Sequence, residues 1–263
     1  MRIAALSLAV MASSALAEEA ASKPPEKIVS VFGPGEQTTY EVSYLGITAG
    51  KAEITVGWEM EHKGRTVWPL VCIGETNERT SQLYKIKDRF VSYWDPLNRE
   101  SLGADFFVNE SKHHAKERFN FDLDANTANV VREAPGWPTT ERNYQLEEGT
   151  VDLAAAGFYF RNFKLVPGES HLLPVFTGQR TYRMRVTVVG KETLKTGLGE
   201  LEVYRVTFNG EFSGKLAAQG LMTIFYTTDA KQLPVRAEAK LALGAVKIDA
   251  VKYEAGRRYT GAD

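Results

Sequence analysis

The sequence alternates polar and apolar residues with a period of two over most of its length, and this pattern constrains the fold more than any other feature. Residues 39–44 and 51–56 alternate in this way, and residues 45–50 between them include two glycines. Successive side chains of a β-strand point to opposite faces, so the pattern predicts strands with one buried face, beginning with a β-hairpin. It predicts further strands at residues 66–73, 80–86, 89–94, 104–109, 114–122, 128–132, 179–189, 200–209, 219–227, 235–243 and 245–253.

One segment near the middle of the chain has helical spacing instead. Thr150 is a suitable N-cap, and Asp152 lies in the first turn, where the helix dipole favours a negative charge. The helix is predicted to end before Pro167 and Gly168, because proline cannot continue a helix. The predicted apolar face consists of Val151, Ala154, Ala155 and Phe158.

These elements predict a mainly β protein with a single domain over residues 37–257. No linker long enough to separate two domains interrupts this range. Unpaired strand edges promote aggregation, and curving or closing a sheet protects them. We therefore expect a large antiparallel curved sheet, or a half-open β-barrel, with the helix packed inside it or across its mouth.

The N-terminus has the pattern of a secretory signal peptide over residues 1–17. Arg2 supplies the positive charge, residues 3–12 are apolar, and small residues precede a cleavage site after Ala17. A membrane-spanning helix needs about 20 apolar residues, so no transmembrane segment is expected. The only cysteine, Cys72, does not follow the cleavage site, so the protein is not expected to be a lipoprotein. The predicted location is the periplasm or the exterior.

Two further segments at the ends of the chain are predicted to lie outside the domain. Residues 18–36 contain several prolines and glycines and are expected to form a flexible leader. Residues 258–263 are expected to form a tail.

Charge and motifs argue against several classes of function. The chain has 32 Lys and Arg against 33 Asp and Glu, a net charge of −1, so a nucleic-acid partner is not expected. The four histidines do not occur in a pattern that converges on a metal, and no metal site is predicted. No nucleophile elbow or phosphate-binding loop is recognisable, so neither a catalytic residue nor a cofactor is predicted.

Short aromatic and glycine motifs are distributed over nearly the whole chain after the predicted signal peptide. They are Gly35-Glu36, Tyr40-x-Val42, Leu45-Gly46-Ile47-x-Ala49-Gly50, Tyr84-Lys85-Ile86-x-Asp88-Arg89, Ser92-Tyr93-Trp94-Asp95, Phe119-x-Phe121-Asp122, Phe158-Tyr159-x-Arg161 and Asp229-Ala230-Lys231-x-Leu233-Pro234-Val235. Together they resemble the exported bacterial family catalogued as domain of unknown function 3108. The resemblance implies a β-rich envelope protein, similar in outline to the half-open barrels of the lipoprotein-carrier superfamily, which hold acyl chains in an apolar cavity.

Four residues are candidates for ligand binding. Trp94 and Trp137 have flat apolar rings that can stack on a sugar or line a lipid cavity. Trp137 lies in a predicted loop, so exposure at a binding surface and packing against the core are equally expected. Tyr159 and Arg161 lie on the predicted helix. A buried arginine must be paired, so Arg161 is expected to contact either a strand acid or a bound ligand.

The resulting hypothesis is a non-catalytic envelope protein that binds an amphiphilic, lipid-like ligand or a glycan in a cavity or groove. The alternative is a structural or assembly partner of another envelope protein, which would use a sheet edge or the Trp137 loop. An enzyme is the least favoured interpretation, because no catalytic constellation is recognisable.

Overall fold

The computed structural model describes residues 30–210, 221–241 and 244–257. Most of these residues form the strands of one large mixed sheet. The predicted signal peptide 1–17, the first part of the predicted leader, 18–29, and the tail 258–263 lie outside the described residues.

Sixteen strands follow one another along the described chain, and the helical segments are short. The strands are β1 Gln37–Tyr44, β2 Ile47–Val56, β3 Met60–His62, β4 Arg65–Thr76, β5 Lys87–Asp95, β6 Glu100–Glu110, β7 His113–Asp122, β8 Thr127–Glu133, β9 Thr140–Gln145, β10 Val151–Asp152, β11 Ser170–Phe176, β12 Thr181–Thr196, β13 Gly199–Gly210, β14 Leu221–Thr227, β15 Pro234–Leu241 and β16 Gly244–Glu254. The helices are α1 Glu78–Ser81 and α2 Leu153–Tyr159, and a 3₁₀ turn, Phe160–Asn162, follows α2.

The order of the strands in the sheet is β10-β11-β12-β13-β14-β15-β16-β1-β2-β4-β5-β6-β7-β8-β9, with β3 paired to β4. Every pairing is antiparallel except that of β10 with β11. The first and last strands are therefore neighbours inside the sheet, and β9 and β10 are its two ends. The prediction of a mainly β domain is confirmed, and the sheet is not closed.

Strands near the two ends of the sheet pack against each other through their side chains. Phe176, at the end of β11, packs against Phe119 and Phe121 of β7, with a ring-centroid distance of 5.7 Å to each. The turn after β11 approaches β7 closely at Gly178, where a Cβ atom would lie 2.7 Å from Cζ of Phe119. Gly178 also has a φ of +89°, so this close approach requires glycine.

The predicted helix exists, but it begins later than expected. Its N-cap is Asp152 and not Thr150. The carboxylate of Asp152 accepts hydrogen bonds from the amides of Ala154 and Ala155 at 2.9 and 3.0 Å. Asp152 and the residue before it form β10 instead of a first helical turn. Neither helix of the described residues is long and apolar enough to cross a membrane.

A buried hydrophobic cluster connects both halves of the sheet with the segment that runs from β10 through α2 to the 3₁₀ turn. The helical residues Ala155 and Phe158 belong to it. Trp68 of β4 and Trp94 of β5, in one half of the sheet, also belong to it, and so does Phe208 of β13, in the other half. The large apolar core of the protein thus lies around α2.

Two local predictions differ from the structure. Residues 80–86 do not form a strand: the chain forms the single-turn helix α1, because the Oδ1 of Asn77 accepts a hydrogen bond from the amide of Thr80 at 2.8 Å. The first hairpin has a two-residue turn at Leu45 and Gly46, both with positive φ, so β2 already begins at Ile47.

Part of the predicted leader packs into the domain. Phe32 has 1% of its surface exposed and belongs to the main buried cluster, and Glu36 has 4% exposed. The packed chain therefore extends at least to Ser30, which pairs in an isolated bridge and is buried.

Candidate functional site

An open depression lies where the two ends of the sheet meet, and we call it the seam groove. Its volume is about 970 Å³. One wall is the face of β7, β8 and β9 that continues from the buried aromatic residues, and the loop before β9 extends this wall. Gly178, Gln179 and Arg180, from the turn between β11 and β12, contribute the other side.

The position of the side chains on β9 follows from its pairing with β8. Tyr144 is opposite Ala128, and its ring packs against Phe176 at 5.5 Å between centroids, so it faces inward. Because side chains alternate along a strand, Arg142 and Thr140 face the same side as Tyr144, and both line the groove. An alternating strand pattern therefore brings a cation and an aromatic ring to the same surface.

Cations dominate the charged residues of the seam groove. Its lining includes four lysine and arginine side chains and a single carboxylate, that of Glu117. The four cations are Lys112, Arg132, Arg142 and Arg180. His113 and His114 also line the groove and add further polar nitrogen atoms.

The single carboxylate compensates only one of these cations directly. The Nε atom of Arg132 lies 3.3 Å from Oε1 of Glu117, on the adjacent strand. The same guanidinium lies 3.3 Å from Nε2 of His113 through its Nη2 atom. Arg180 lies over the ring of Tyr182, with Cζ 5.7 Å from the ring centroid. The groove is thus electropositive.

Trp137 is the exposed aromatic residue of the seam groove. It lies in the loop between β8 and β9, in a turn that its amide closes by donating a hydrogen bond to the carbonyl of Ala134 at 3.1 Å. Its side chain is 77% exposed and lines the groove. Of the four residues selected from the sequence, Trp137 is the one that lies in this groove.

Trp94 and Tyr159 lie together, but not on the groove. Trp94 is fully buried in the main cluster, and the ring of Tyr159 meets it edge-on at 6.3 Å between centroids. Tyr159 also packs against Phe163 at 4.8 Å. Partial burial raises the pKa of the Tyr159 phenol, and the charge of Arg99 partly opposes this shift. Trp94 therefore packs in the core and has no surface to offer a ligand.

Arg161 is completely buried and forms a two-pronged ion pair within the protein. Its Nη1 and Nη2 atoms lie 2.5 and 3.1 Å from the two carboxylate oxygens of Glu36. Its Nε and Nη2 atoms also donate hydrogen bonds to the carbonyl of Lys231, at 3.3 and 3.2 Å. The guanidinium packs over the rings of Phe32 and Phe158 at 4.9 and 5.3 Å. Of the two partners expected for Arg161, an acid or a ligand, the structure shows an acid. This acid comes from the segment before β1 and not from a strand.

A second buried polar network surrounds Asp152 at the start of α2. Oδ2 of Asp152 accepts hydrogen bonds from the hydroxyls of Ser92 and Ser101, both at 2.5 Å. Burial raises the pKa of the Asp152 carboxyl, although these hydroxyls and the capping amides oppose the shift. Burial likewise raises the pKa of the Cys72 thiol to about 12. None of these groups lines the groove.

The cations of the groove were not recognised from the sequence. The alternation of Thr140, Arg142 and Tyr144 is a strand signal with a cation on the inner face, and it was available in the sequence. The contribution of Arg180 was not, because it depends on the packing of β11 against β7.

The fold and the groove define a class of protein: an open, barrel-like β-sheet with a cationic groove where its ends meet. The chain belongs to the family described as protein of unknown function (DUF3108), whose profile matches residues 39–251. This match confirms the resemblance indicated by the motifs. The comparison with curated proteins gave no match.

The solved structures that match the chain include two bacterial proteins. The crystal structure of a β-barrel-like protein of domain of unknown function DUF1849 from Brucella abortus has a TM-score of 0.56 and 10% sequence identity. The similarity covers 87% of this chain and all of that one. A putative exported protein with a YmcC-like fold from Bacteroides fragilis matches with a TM-score of 0.32 and 10% identity, over 87% of this chain and all of that one. At this identity the Brucella structure shows similarity of fold alone.

Proposed function

We propose that this protein is an exported envelope protein that binds a glycan, without catalysis, in the seam groove. One observation carries the proposal: Trp137, 77% exposed, lies on an open groove of about 970 Å³ whose walls are rich in polar side chains. Carbohydrates present both apolar ring faces and hydroxyl groups. An exposed indole beside hydrogen-bond donors matches both.

The packing around α2 favours a glycan in the groove over an acyl chain in the interior. A carrier of acyl chains needs apolar space inside the curved sheet. In our proposal α2 and the following turn fill that space, because Phe160 packs against Phe208 at 5.7 Å and Phe158 against Phe32 at 4.8 Å. An amphiphile would have to bind in the groove, where cations surround it.

The charged groups of the groove favour binding over catalysis. General acid–base chemistry usually needs two groups with separated roles. Glu117, the one carboxylate of the lining, forms an ion pair with Arg132 and is committed to it. The lysine and arginine side chains hold a ligand but do not supply a general base. Of the two histidines in the lining, His113 contacts the guanidinium of Arg132 at 3.3 Å.

The decisive experiment for the proposed function is a cosedimentation assay with purified peptidoglycan sacculi and capsular polysaccharide. Trp137→Ala is expected to weaken retention about fivefold to tenfold, because stacking contributes about 1–1.4 kcal/mol. Trp58→Ala is the matched control, since the side chain of Trp58 is also exposed, at 63%, but does not line the groove. Equal retention of the wild type and Trp137→Ala would contradict the proposal, and so would a failure of the wild type to sediment.

Export is part of the proposal and has its own test. The signal-peptide pattern predicts that the exported protein begins at Glu18. Fractionation of the producing cells should recover the protein in the periplasm or medium, and N-terminal sequencing should give Glu18-Glu19-Ala20. Recovery of a protein that retains Met1 in the cytoplasm would refute this expectation.

A second candidate function is the assembly of another envelope protein on the end of the sheet. The observation that favours it is the position of β9, which is an end strand paired to β8 alone in the described sheet. Such an edge can accept a strand from a partner. Chemical crosslinking in intact cells distinguishes the two candidates, because this one requires a defined heteromeric product, and a monomer alone would exclude it.

A further inference from the structure

We infer that the glycan bound in the seam groove is acidic, and that Arg142 and Arg180 recognise its carboxylate or phosphate groups. This inference rests on the proposed function, but a different set of observations carries it. Those observations are the charge of the lining, the absence of a carboxylate partner for three of its four cations among the described residues, and the placement of the cations on both sides of the groove.

The excess of positive charge is local. Over the whole chain the acidic and basic residues almost balance, with a net charge of −1. In the groove, four lysine or arginine side chains accompany one carboxylate. A near-neutral protein that concentrates cations in one groove creates a local positive potential, which attracts anionic ligands and favours their binding.

Three of the four cations of the groove have no carboxylate partner among the described residues. Several arginines outside the groove do contact carboxylates: Arg236 lies 2.6 Å from Asp249, and Arg118 lies 3.3 Å from Asp105. In the described part of the chain, no ion pair involves Lys112, Arg142 or Arg180. An acidic ligand would supply the missing counter-charge.

The two arginines reach the groove from different parts of the fold. Arg142 comes from the inward face of β9, and Arg180 comes from the turn after β11, which packs against β7. Both side chains are exposed, so they are hydrated and accessible. An extended acidic chain in the groove can contact both, with Trp137 stacking on one of its sugar rings.

The test compares ligands that differ only in charge. One arm uses native peptidoglycan sacculi and sacculi whose carboxylates have been converted to amides. The other uses an oligomer of galacturonate and its fully methyl-esterified form, with affinities measured by titration calorimetry at low and high ionic strength. Wild-type protein should bind the acidic form of each pair about tenfold more tightly than the neutral form, and added salt should reduce the difference.

Charge-neutral variants then assign the effect to residues. Arg142→Gln and Arg180→Gln are each expected to weaken binding of the acidic oligomer up to about fivefold, the upper range for an exposed ion pair. The matched control is Arg79→Gln, because Arg79 is exposed on α1 and lies outside the groove. Circular dichroism of each variant excludes unfolding as the cause.

The outcomes separate the inference from the proposed function. Equal binding of the acidic and neutral forms, still dependent on Trp137, would overturn the inference and leave glycan binding in place. Unchanged binding by Arg142→Gln and Arg180→Gln would also overturn it. If neither glycan binds but vesicles of phosphatidylglycerol do, through the same arginines, the ligand is a lipid headgroup and both proposals fail. If nothing binds, both fail as well.

Discussion

Replacing Arg161 by methionine is expected to lower the free energy of unfolding by about 3–5 kcal/mol. The substitution leaves the carboxylate of Glu36, which is only 4% exposed, without the guanidinium that it contacts at 2.5 and 3.1 Å. It also removes both side-chain hydrogen bonds to the carbonyl of Lys231. Urea unfolding followed by tryptophan fluorescence measures the change.

A paired variant is the control for this prediction. If the cost arises from a stranded buried charge, adding Glu36→Leu to Arg161→Met should restore part of the lost stability, because an apolar pair is often as stable as a buried ion pair. Arg161→Lys keeps the charge but loses the two-pronged geometry, so its loss should be intermediate. A loss below about 1 kcal/mol for Arg161→Met would show that the pair is dispensable.

The same variants decide between the two roles that the sequence left open for Arg161. If Arg161 only joins the segment before β1 to the 3₁₀ turn and to the β14–β15 loop, folded Arg161→Lys should bind the glycan as the wild type does. A selective loss of binding without loss of stability would instead make Arg161 a ligand residue, despite its burial.

Replacing Asp152 by alanine is expected to cost about 3 kcal/mol of stability. The change removes the N-cap of α2, worth about 1 kcal/mol, and deprives two buried serine hydroxyls of their acceptor, at about 1 kcal/mol or more each. Ser92 and Ser101 both donate to the same carboxylate oxygen, at 2.5 Å. Thermal and urea unfolding should both show the loss.

The cap of α1 is the matched control for Asp152. Asn77→Ala removes an N-cap that accepts one amide at 2.8 Å, and an exposed hydrogen bond from Nδ2 of Asn77 to the carbonyl of Thr48. The site has no buried helical residues, so the change should cost only about 1 kcal/mol. Similar losses in the two variants would mean that the serine network adds nothing to the cap.

The protonation of Asp152 adds a pH-dependent test of the same network. Burial raises the pKa of this carboxyl in the folded protein, so the stability linked to its protonation is fully present below its unfolded pKa, about 3.9. That stability is lost as the pH rises through the higher folded value. Asp152→Asn has no such titration, so its stability relative to the wild type should improve as the pH rises from 4. A difference that stays constant with pH would contradict the assignment.

The β architecture was predictable because alternation is a local property of the chain. The segments at 114–122 and 200–209 alternate strongly, and they are strands in the structure as β7 and β13. The failure at 80–86 is also local: one asparagine side chain caps a helical turn, and this competes with the apolar pattern. Polar strands such as β9 carry few apolar residues, so their alternation is only a weak signal, and β9 was not predicted.

The candidate site was less predictable, because it is assembled from distant parts of the chain. Trp137 was recognised because a tryptophan in a loop has little core to fill. The pairing of Arg161 with Glu36 joins residues that are 125 positions apart, and no pattern in the sequence links them. Trp94 shows the limit of residue type as a guide, since large aromatic side chains pack in the core more often than they bind a ligand, and Trp94 is fully buried.

The contact between β1 and β16 has a consequence for the order in which the molecule folds. Residues 37–145 and 170–254 each contain mostly neighbouring strands, so each can assemble from local contacts as soon as it is available. The junction between them requires strands from opposite ends of the chain, such as Thr39 opposite Lys252, and contacts of this kind form slowly. Until β16 has been synthesised, the edge of β1 that pairs with β16 has no partner strand. A chain truncated before β16 would therefore lose a strand from the middle of the sheet and not from its edge. The two remaining half-sheets would each expose an unpaired strand edge, which promotes aggregation.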